Sequence, residues 1–368
     1  MLSHALPRRA TLTALALVAA VAATVGQQPA TDTPPDKLLL KDYRPRSIYK
    51  IPQTDVPRAK FPVIDMHSHV YVRDAAAVEA WIATLDEVNV EKVVVMASGA
   101  RARFDRALEL FGPHPDRFEV WTGLDFAGSS EPGWSQRAIA ELERAHAAGA
   151  RGIGELSDKG GGLRGSDGMH ADDPRMDPVF ERIAELGLPV NIHVAEDQWM
   201  YEPMDHTNDG LMNAYKWRVT PGPTVLGHDE VIDTLERAVK KHPRVTFIAC
   251  HFANTTADLS RLARMLDTYP NLYADISARF GETAPIPRTM AAFYERYQDR
   301  LLYGTDMGTN IDMYRATFRI LETTDEHFYL GTLRHYHWPY HGFGLPDEIL
   351  RKVYRDNALR ILSSRPQR

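Results

Sequence analysis

The sequence contains very little cysteine: Cys250 is the only one among 368 residues. No disulfide can form within the chain, so burial of apolar side chains has to stabilise the fold. Long blocks of basic residues are also lacking, and the net charge is -6 at pH 7. This composition gives no electrostatic reason to expect binding to nucleic acid or to an anionic membrane. A small-molecule partner is therefore predicted.

The apolar stretch at residues 12–23 falls short of the length that a membrane span needs. It follows Arg8 and Arg9 and precedes small and polar residues, an order typical of an export signal over residues 1–28. The arginine pair favours the twin-arginine route, and the general secretory route and a membrane anchor remain alternatives. We expect export to the periplasm, with no membrane contact after signal cleavage.

Residues 29–60 are rich in proline and polar side chains and show no strand or helix period. They are predicted to form a linker or a surface wrap. The remaining residues, 61–368, are long enough for one large α/β domain.

From residue 61 onward, apolar strand-like runs alternate with helical patterns. The runs begin near residues 61, 93, 118, 150, 189, 245, 272 and 301. Eight strands alternating with helices predict a closed (β/α)8 barrel, the TIM barrel. The alternative is an open doubly wound sheet, which would concentrate its chemistry at a single switch point.

Two histidines, His67 and His69, end the first predicted strand. Because alternate residues of a strand face the same side, both can bind one metal ion. Further potential ligands end later strands: Glu155, His193, His251 and Asp306. Taken singly, each histidine is more often a hydrogen-bonded core or surface residue, and an aspartate often caps a helix. Their repetition at strand ends favours one shared site, which only a closed barrel would assemble.

These motifs together resemble those of the amidohydrolase superfamily, in the amidohydrolase-related branch that also contains metal-dependent non-oxidative decarboxylases. The resemblance lies in residues 64–69, 187–193, 245–251, 269–277, 302–306 and 356–362. It implies a metal-dependent barrel with an extra C-terminal helix. It also implies that His67, His69 and His193 are neutral metal ligands. By the same resemblance, Asp306 is a ligand or a base, and His251 shuttles a proton or polarises the substrate.

Glu155 leaves the number of metal ions open. Many members of the branch lack a carboxylate on the fourth strand, but residues 152–155 look similar to the segment that carries a bridging glutamate in the superfamily's two-metal phosphoesterases. We expect one divalent ion, with Glu155 as a hydrogen-bonding or substrate-facing group; a two-ion site is the alternative. Histidine and carboxylate ligands suit Zn²⁺, and manganese, iron, cobalt and nickel are compatible.

The expected reaction is hydrolysis of a C–N or C–O bond in a small molecule. A partly open metal site lowers the pKa of bound water from about 15.7 to about 7, and a neighbouring carboxylate can take the proton. Non-oxidative decarboxylation of an aromatic or unsaturated carboxylic acid would use the same ligands and is the first alternative. A non-catalytic exported barrel that binds a metal or a solute is the second.

Two predicted connections, residues 157–176 and 195–227, exceed the usual length. The second contains Trp199 and suits a lid over a small ligand, with surface decoration or a subunit contact as alternatives. Arg279, just past the seventh strand, could bind a substrate carboxylate or phosphate, or be an ordinary surface arginine. A homo-oligomer is left open.

Overall fold

The computed structural model describes residues 33–331 and 336–363. The predicted export signal, residues 1–28, and the first residues of the predicted linker lie outside them. Residues 33–39 belong to a separate unit with one short 3-10 helix, Pro35–Lys37. Within the described part of the chain, no helix combines the length and apolarity that crossing a membrane requires.

Eight parallel strands are present among the described residues. They are β1 (Val63–His69), β2 (Val90–Met96), β3 (Phe118–Trp121), β4 (Ile153–Asp158), β5 (Val190–Val194), β6 (Phe247–Cys250), β7 (Leu272–Asp275) and β8 (Leu301–Leu302). Pairing runs from β1 to β3 and from β4 to β8. A parallel bridge between Thr122 and Ile153 joins β3 to β4. The Met66 amide donates to the Tyr303 carbonyl at 2.9 Å and joins β8 to β1, which confirms the predicted closed barrel.

Helices follow the strands around the outside of the barrel. They are α1 (Ala75–Val88), α2 (Ala102–Phe111), α3 (Trp134–Ala148), α4 (Asp177–Glu185), α5 (Leu211–Trp217), α6 (His228–Lys241), α7 (Leu259–Thr268), α8 (Phe280–Thr283), α9 (Pro287–Tyr297), α10 (Ile311–Glu322), α11 (Asp347–Arg351) and α12 (Asn357–Ser363). A π-helical turn, Lys352–Asp356, connects the last two.

Helix α1 shows how the sequence determines a local element. The Asp74 carboxylate accepts a hydrogen bond from the Ala77 amide at 2.9 Å and caps the first turn. Asn89 ends the helix in the left-handed conformation. The buried residues recur every three or four positions: Val78, Trp81, Leu85 and Val88. Because this spacing places them on one face, the helix packs that face against the strands.

The core has two layers. The larger lies between the strands and the surrounding helices. The smaller comprises Ile64, Met66, Val94, Met96, Trp121, Ile248 and Leu302 from the strands, with Ala358 and Ile361 from α12. The Asn357 side chain also donates to the Leu301 carbonyl at 2.8 Å. Helix α12, the predicted extra C-terminal helix, therefore covers the N-terminal end of the barrel, so chemistry can be placed at the opposite end.

The described part of the predicted linker from residue 40 onward is irregular, apart from the short helix Leu40–Asp42. It contacts the helical layer through polar groups. The amide and hydroxyl of Thr54 each donate to the Asp325 carboxylate at 2.7 Å. The Lys60 amide donates to Glu322 at 2.9 Å.

The two predicted long loops follow β4 and β5, and the second contains α5. The first is held by Asp158, the last residue of β4. One oxygen of its carboxylate accepts hydrogen bonds from the Gly160 and Gly162 amides at 2.9 and 3.0 Å. The other lies 2.7 Å from the Nδ1 atom of His170. The loop therefore leaves the strand with a fixed direction.

Candidate active site

The six predicted ligands and proton-transfer groups all lie at the C-terminal end of the barrel. They come from β1 (His67 and His69), β4 (Glu155), β5 (His193), and the residues that follow β6 (His251) and β8 (Asp306). Because the strands are parallel and closed into a ring, these ends meet around one axis.

Asp306 lies between three of these histidines. Its Oδ1 atom is 3.1 Å from His69 Nε2 and 3.7 Å from His67 Nε2. Its Oδ2 atom is 3.7 Å from His251 Nε2. The Tyr71 hydroxyl donates to Oδ1 at 3.1 Å and to the Asp306 carbonyl at 2.8 Å, which fixes this carboxylate from the solvent side.

Glu155 connects the remaining histidines. Its Oε1 atom is 2.7 Å from His193 Nδ1 and 3.8 Å from His251 Nε2. Its Oε2 atom is 3.9 Å from His69 Nε2. Cys250 lies in the same group, with its Sγ atom 3.7 Å from Glu155 Oε1.

Polar side chains behind the imidazoles decide which nitrogen faces the centre. His67 Nδ1 is 2.9 Å from an oxygen of the Asp275 carboxylate, a bond in which the imidazole must be the donor. His251 Nδ1 is 2.6 Å from the Ser277 hydroxyl, which itself donates to Asp275 at 2.5 Å. Because the serine proton is used in that bond, His251 Nδ1 is the donor to Ser277, and Nε2 presents a lone pair to Asp306 when the ring is neutral.

His69 follows the same arrangement. Its Nδ1 atom lies 2.9 Å from the Ser98 hydroxyl, and its Nε2 atom faces Asp306. Such contacts orient a metal-binding imidazole and select its tautomer.

Charges in the site are strongly coupled. Burial alone would lower the pKa of His67, but Asp275 beside it raises that pKa to about 10. Burial also lowers the pKa of His193, but the neighbouring Glu155 carboxylate outweighs this effect and raises that pKa to about 9. Burial lowers the pKa of His251 to about 4. For Asp306, the cost of burial is outweighed by the adjacent histidines, which hold its pKa below the usual range. A bound cation would compete with protons for the nitrogens of His67 and His193.

The donor set fits a divalent cation. Within the described residues, two groups each place one donor atom per residue within 4.8 Å of all the others: His67, His69 and Asp306, and His67, Glu155, Cys250 and His251. In addition, the buried Nε2 atoms of His67 and His193 have no hydrogen-bond partner in the described part of the chain. A buried polar atom without a partner is costly, and a metal ion would satisfy it.

Not every predicted site residue joins these groups. His193 has Glu155 at Nδ1, and its Nε2 atom is 3.7 Å from Glu196, so each nitrogen faces a carboxylate. Trp199 packs against Trp338, with ring centroids 5.8 Å apart. Arg279 is 6% exposed and contacts Asn254 and buried acids.

A cavity of about 310 Å³ opens onto this cluster. Its lining joins the site residues to the long loops: Lys159, His193, Glu196, Met200, Asn213, Trp217, His251, Ala278, Arg279, Glu282, Asp306, Met307 and Tyr336. The volume lies at the lower end of the range for ligand pockets, which suits a small substrate.

Sequence reasoning missed the residues that contact the candidate ligands from behind. Asp275, Ser277 and Ser98 make the contacts that orient the imidazoles. Asp275 could have been identified from the sequence, because it ends β7 at the level where other strands carry candidate ligands. Ser98 and Ser277 could not have been identified in this way, since a serine after a strand has many roles.

Comparisons with known proteins agree with the barrel fold. The family model described as Amidohydrolase matches residues 59–363. Among curated proteins, none matches the chain. The fold is similar to that of 2,6-dihydroxybenzoate decarboxylase from Rhizobium, at 18% identity and a TM-score of 0.51, over 83% of this chain and 99% of that one.

Two further solved structures are similar at the same TM-score of 0.51. The first is 5-carboxyvanillate decarboxylase from Novosphingobium aromaticivorans complexed with manganese, at 15% identity over 85% of this chain and 100% of that one. The second is an uncharacterised TIM-barrel protein from Bordetella bronchiseptica, at 15% identity over 82% of this chain and 99% of that one. At these identities the likeness concerns the fold alone, and it supports the barrel.

Proposed function

Because the chain belongs to the amidohydrolase family, we propose that it is a metal-dependent enzyme that hydrolyses a C–N or C–O bond in a small molecule. The observation that carries the proposal is the position of Asp306. Its carboxylate has one oxygen beside His67 and His69 and the other beside His251. The same side chain can therefore contact a cation and a proton acceptor.

His67, His69 and Asp306 would hold the divalent ion, for which zinc is our first candidate, and Glu155 and His193 would adjoin it. When bound, the ion would act as a Lewis acid on the substrate and on water. Asp275 would keep the His67 ring in place through the 2.9 Å contact at Nδ1.

Proton movement would use Asp306 and His251. As water attacks the substrate carbon, Asp306 Oδ2 would accept its proton and pass it to His251 Nε2, 3.7 Å away. Ser277 fixes the opposite nitrogen of that ring, so the proton can enter only at Nε2. His251 would then return the proton to the leaving nitrogen or oxygen, which balances the hydrolysis.

Non-oxidative decarboxylation is the second candidate. It is supported by Lys159 in the cavity, since an ammonium beside apolar walls suits an unsaturated acid. Two of the fold relatives are decarboxylases of aromatic acids. In this reaction His251 or Asp306 would deliver a proton to the carbon that loses carbon dioxide.

One experiment separates the two candidates. The zinc-loaded and manganese-loaded protein is assayed in ¹⁸O-labelled water against panels of esters, lactones, amides and aromatic carboxylates. Hydrolysis predicts ¹⁸O in the product acid and no carbon dioxide. Carbon dioxide release without label in the organic product would overturn the hydrolase proposal and establish decarboxylation. Asp306→Asn serves as the inactive control.

A further inference from the structure

A lysine and an arginine with different surroundings line the cavity next to the catalytic cluster. Arg279 is already bound on several sides. Its Nε atom lies 3.0 Å from both Asp197 and Asn254, and its Nη2 atom lies 3.4 Å from Glu196. Because neighbouring acids balance its charge, Arg279 mainly holds those acids in place.

Lys159 is more accessible. Its side chain is 34% exposed, and its ammonium contacts the carboxylate of Glu196. The ammonium also lies 5.2 Å from the centre of the Trp217 ring, which belongs to the loop that covers the cavity. An aromatic face beside an ammonium stabilises the charge without using its hydrogen-bond donors.

The backbone around Lys159 is fixed although the side chain is long. Asp158 accepts the amides of Gly160 and Gly162, and the Gly160 carbonyl accepts a hydrogen bond from the Leu226 amide at 2.9 Å. The ordered loop therefore places the Lys159 ammonium at one wall of the cavity.

Glu196 makes an exchange of partners possible. This buried carboxylate faces Lys159 and Arg279, and His193 Nε2 lies 3.7 Å from it. If Lys159 turned toward a ligand, Glu196 would keep Arg279 and would not be left as an unpaired buried charge. Lys159 contacts one acid, whereas Arg279 lies beside three, Glu196, Asp197 and Glu282, so Lys159 has fewer contacts to give up.

We infer that Lys159 binds a second carboxylate of the substrate, one that takes no part in the reaction. A single ammonium beside Glu196 matches a monovalent carboxylate better than a dianionic phosphate. The inference rests on the proposed function, because it places the reacting group at Asp306 and His251, and all three side chains line the same cavity. The substrate would then be a small acid with a second functional group at the reacting end.

The test compares ligands that differ only in one charge. Binding of terephthalate and isophthalate to the zinc-loaded protein is measured by calorimetry against their monoamides, 4-carbamoylbenzoate and 3-carbamoylbenzoate. We expect at least one diacid to bind about tenfold tighter than its monoamide, the scale of one charge-assisted contact. Lys159→Met should abolish this preference, and Lys159→Arg should keep part of it.

Lys216→Met is the matched control, because Lys216 is an exposed lysine of the same covering loop. It should retain the full preference. Metal content and melting temperature check that the variants fold, and Lys159→Gln replaces the Met variant if that one unfolds. The inference is overturned if the wild type shows no preference in either pair, or if the Lys159 variants keep it. A failure of the proposed function would appear in the turnover assay and would leave this binding preference unchanged.

Discussion

At the scale of single residues, three of the four site histidines use Nδ1 for a contact inside the protein and direct Nε2 toward Asp306. The contact between His67 and Asp275 joins two fully buried side chains. An imidazole held in this way loses little rotational freedom when it binds a cation. The geometry of the histidine cluster thus depends on the residues that contact its Nδ1 atoms.

Replacing Asp275 by Asn should weaken metal binding. The uncharged amide oxygen accepts the hydrogen bond from His67 Nδ1 more weakly than the carboxylate does. We therefore expect metal affinity to fall about 10- to 100-fold. Competition with a chromophoric chelator measures the change. Asp312→Asn, at an exposed helix position, should bind metal as the wild type does. Equal metal affinities in the Asp275→Asn and Asp312→Asn variants would contradict the orienting role of Asp275.

Replacing His251 by Gln should separate catalysis from metal binding. We expect kcat to fall about 10²- to 10⁴-fold, the range for a general acid or base. Metal content should stay at the wild-type level, because His67, His69 and Asp306 remain. His114→Gln, at a partly exposed surface position, serves as the control. Loss of the metal together with activity would instead assign His251 as a ligand.

The candidate ligand residues could be named from the sequence at this scale, but their contacts could not. His67 and His69 are two apart on a strand, so their common face follows from the strand period. The partner of each Nδ1 atom depends on strands that are far apart in sequence: Asp275 is 208 residues from His67. Local patterns carry no information about such a pairing.

At the scale of secondary structure elements, the strand ends hold the site together through close backbone approach. Gly304 follows β8, and a Cβ atom there would lie 2.8 Å from His67 Cβ and 3.1 Å from Ser277 Cβ. A side chain at this position would push β8 away from β1. Glycine is therefore required by packing.

Gly304→Ala should both destabilise the protein and disturb the metal site. Overpacking of this kind costs about 1–3 kcal/mol, and a displaced His67 should lower metal affinity. Gly161→Ala is the matched control, because nothing lies within 4 Å of the added methyl group. Denaturant unfolding and metal titration check both. Equal stability of the two variants would contradict the packing argument.

The loop after β4 should stabilise the protein in a pH-dependent way. The hydrogen bond to Asp158 raises the pKa of His170 above its ordinary value. This contribution is complete below the unfolded-state pKa of about 6.5 and disappears as pH rises through the raised folded value. His170→Gln should therefore cost about 1 kcal/mol near pH 5.5 and less near pH 9, as measured by urea unfolding. The same difference at both pH values would exclude the charged pair.

Element order was predictable, whereas loop structure was not. The apolar period gave β1 to β8 and most helices, because burial on one face imposes that period. Strand β8 was predicted to extend to residue 306 but ends at Leu302. The chain beyond it leaves regular pairing to bring Asp306 to the site. In the loops, side chains such as Trp199 follow no period, so their contacts required the tertiary structure.

At the scale of the whole molecule, closure of the barrel brings candidate ligands that are spread over about two thirds of the chain into one cluster. His67 and Asp306 are 239 positions apart and yet adjacent, because the Asp306 amide donates to the His67 carbonyl at 2.8 Å. The fold and the site are therefore coupled. A bound ion should stabilise the whole barrel by about 2.7 kcal/mol at a concentration 100 times its dissociation constant.

The most direct test of the account is the metal content of the purified protein, measured by elemental mass spectrometry after chelator treatment and reloading with zinc. The account predicts about one ion per chain in the wild type, a higher melting temperature with the ion, and loss of both in His67→Ala and Asp306→Ala. A wild-type protein that retains no ion and melts at the same temperature with and without zinc would contradict it.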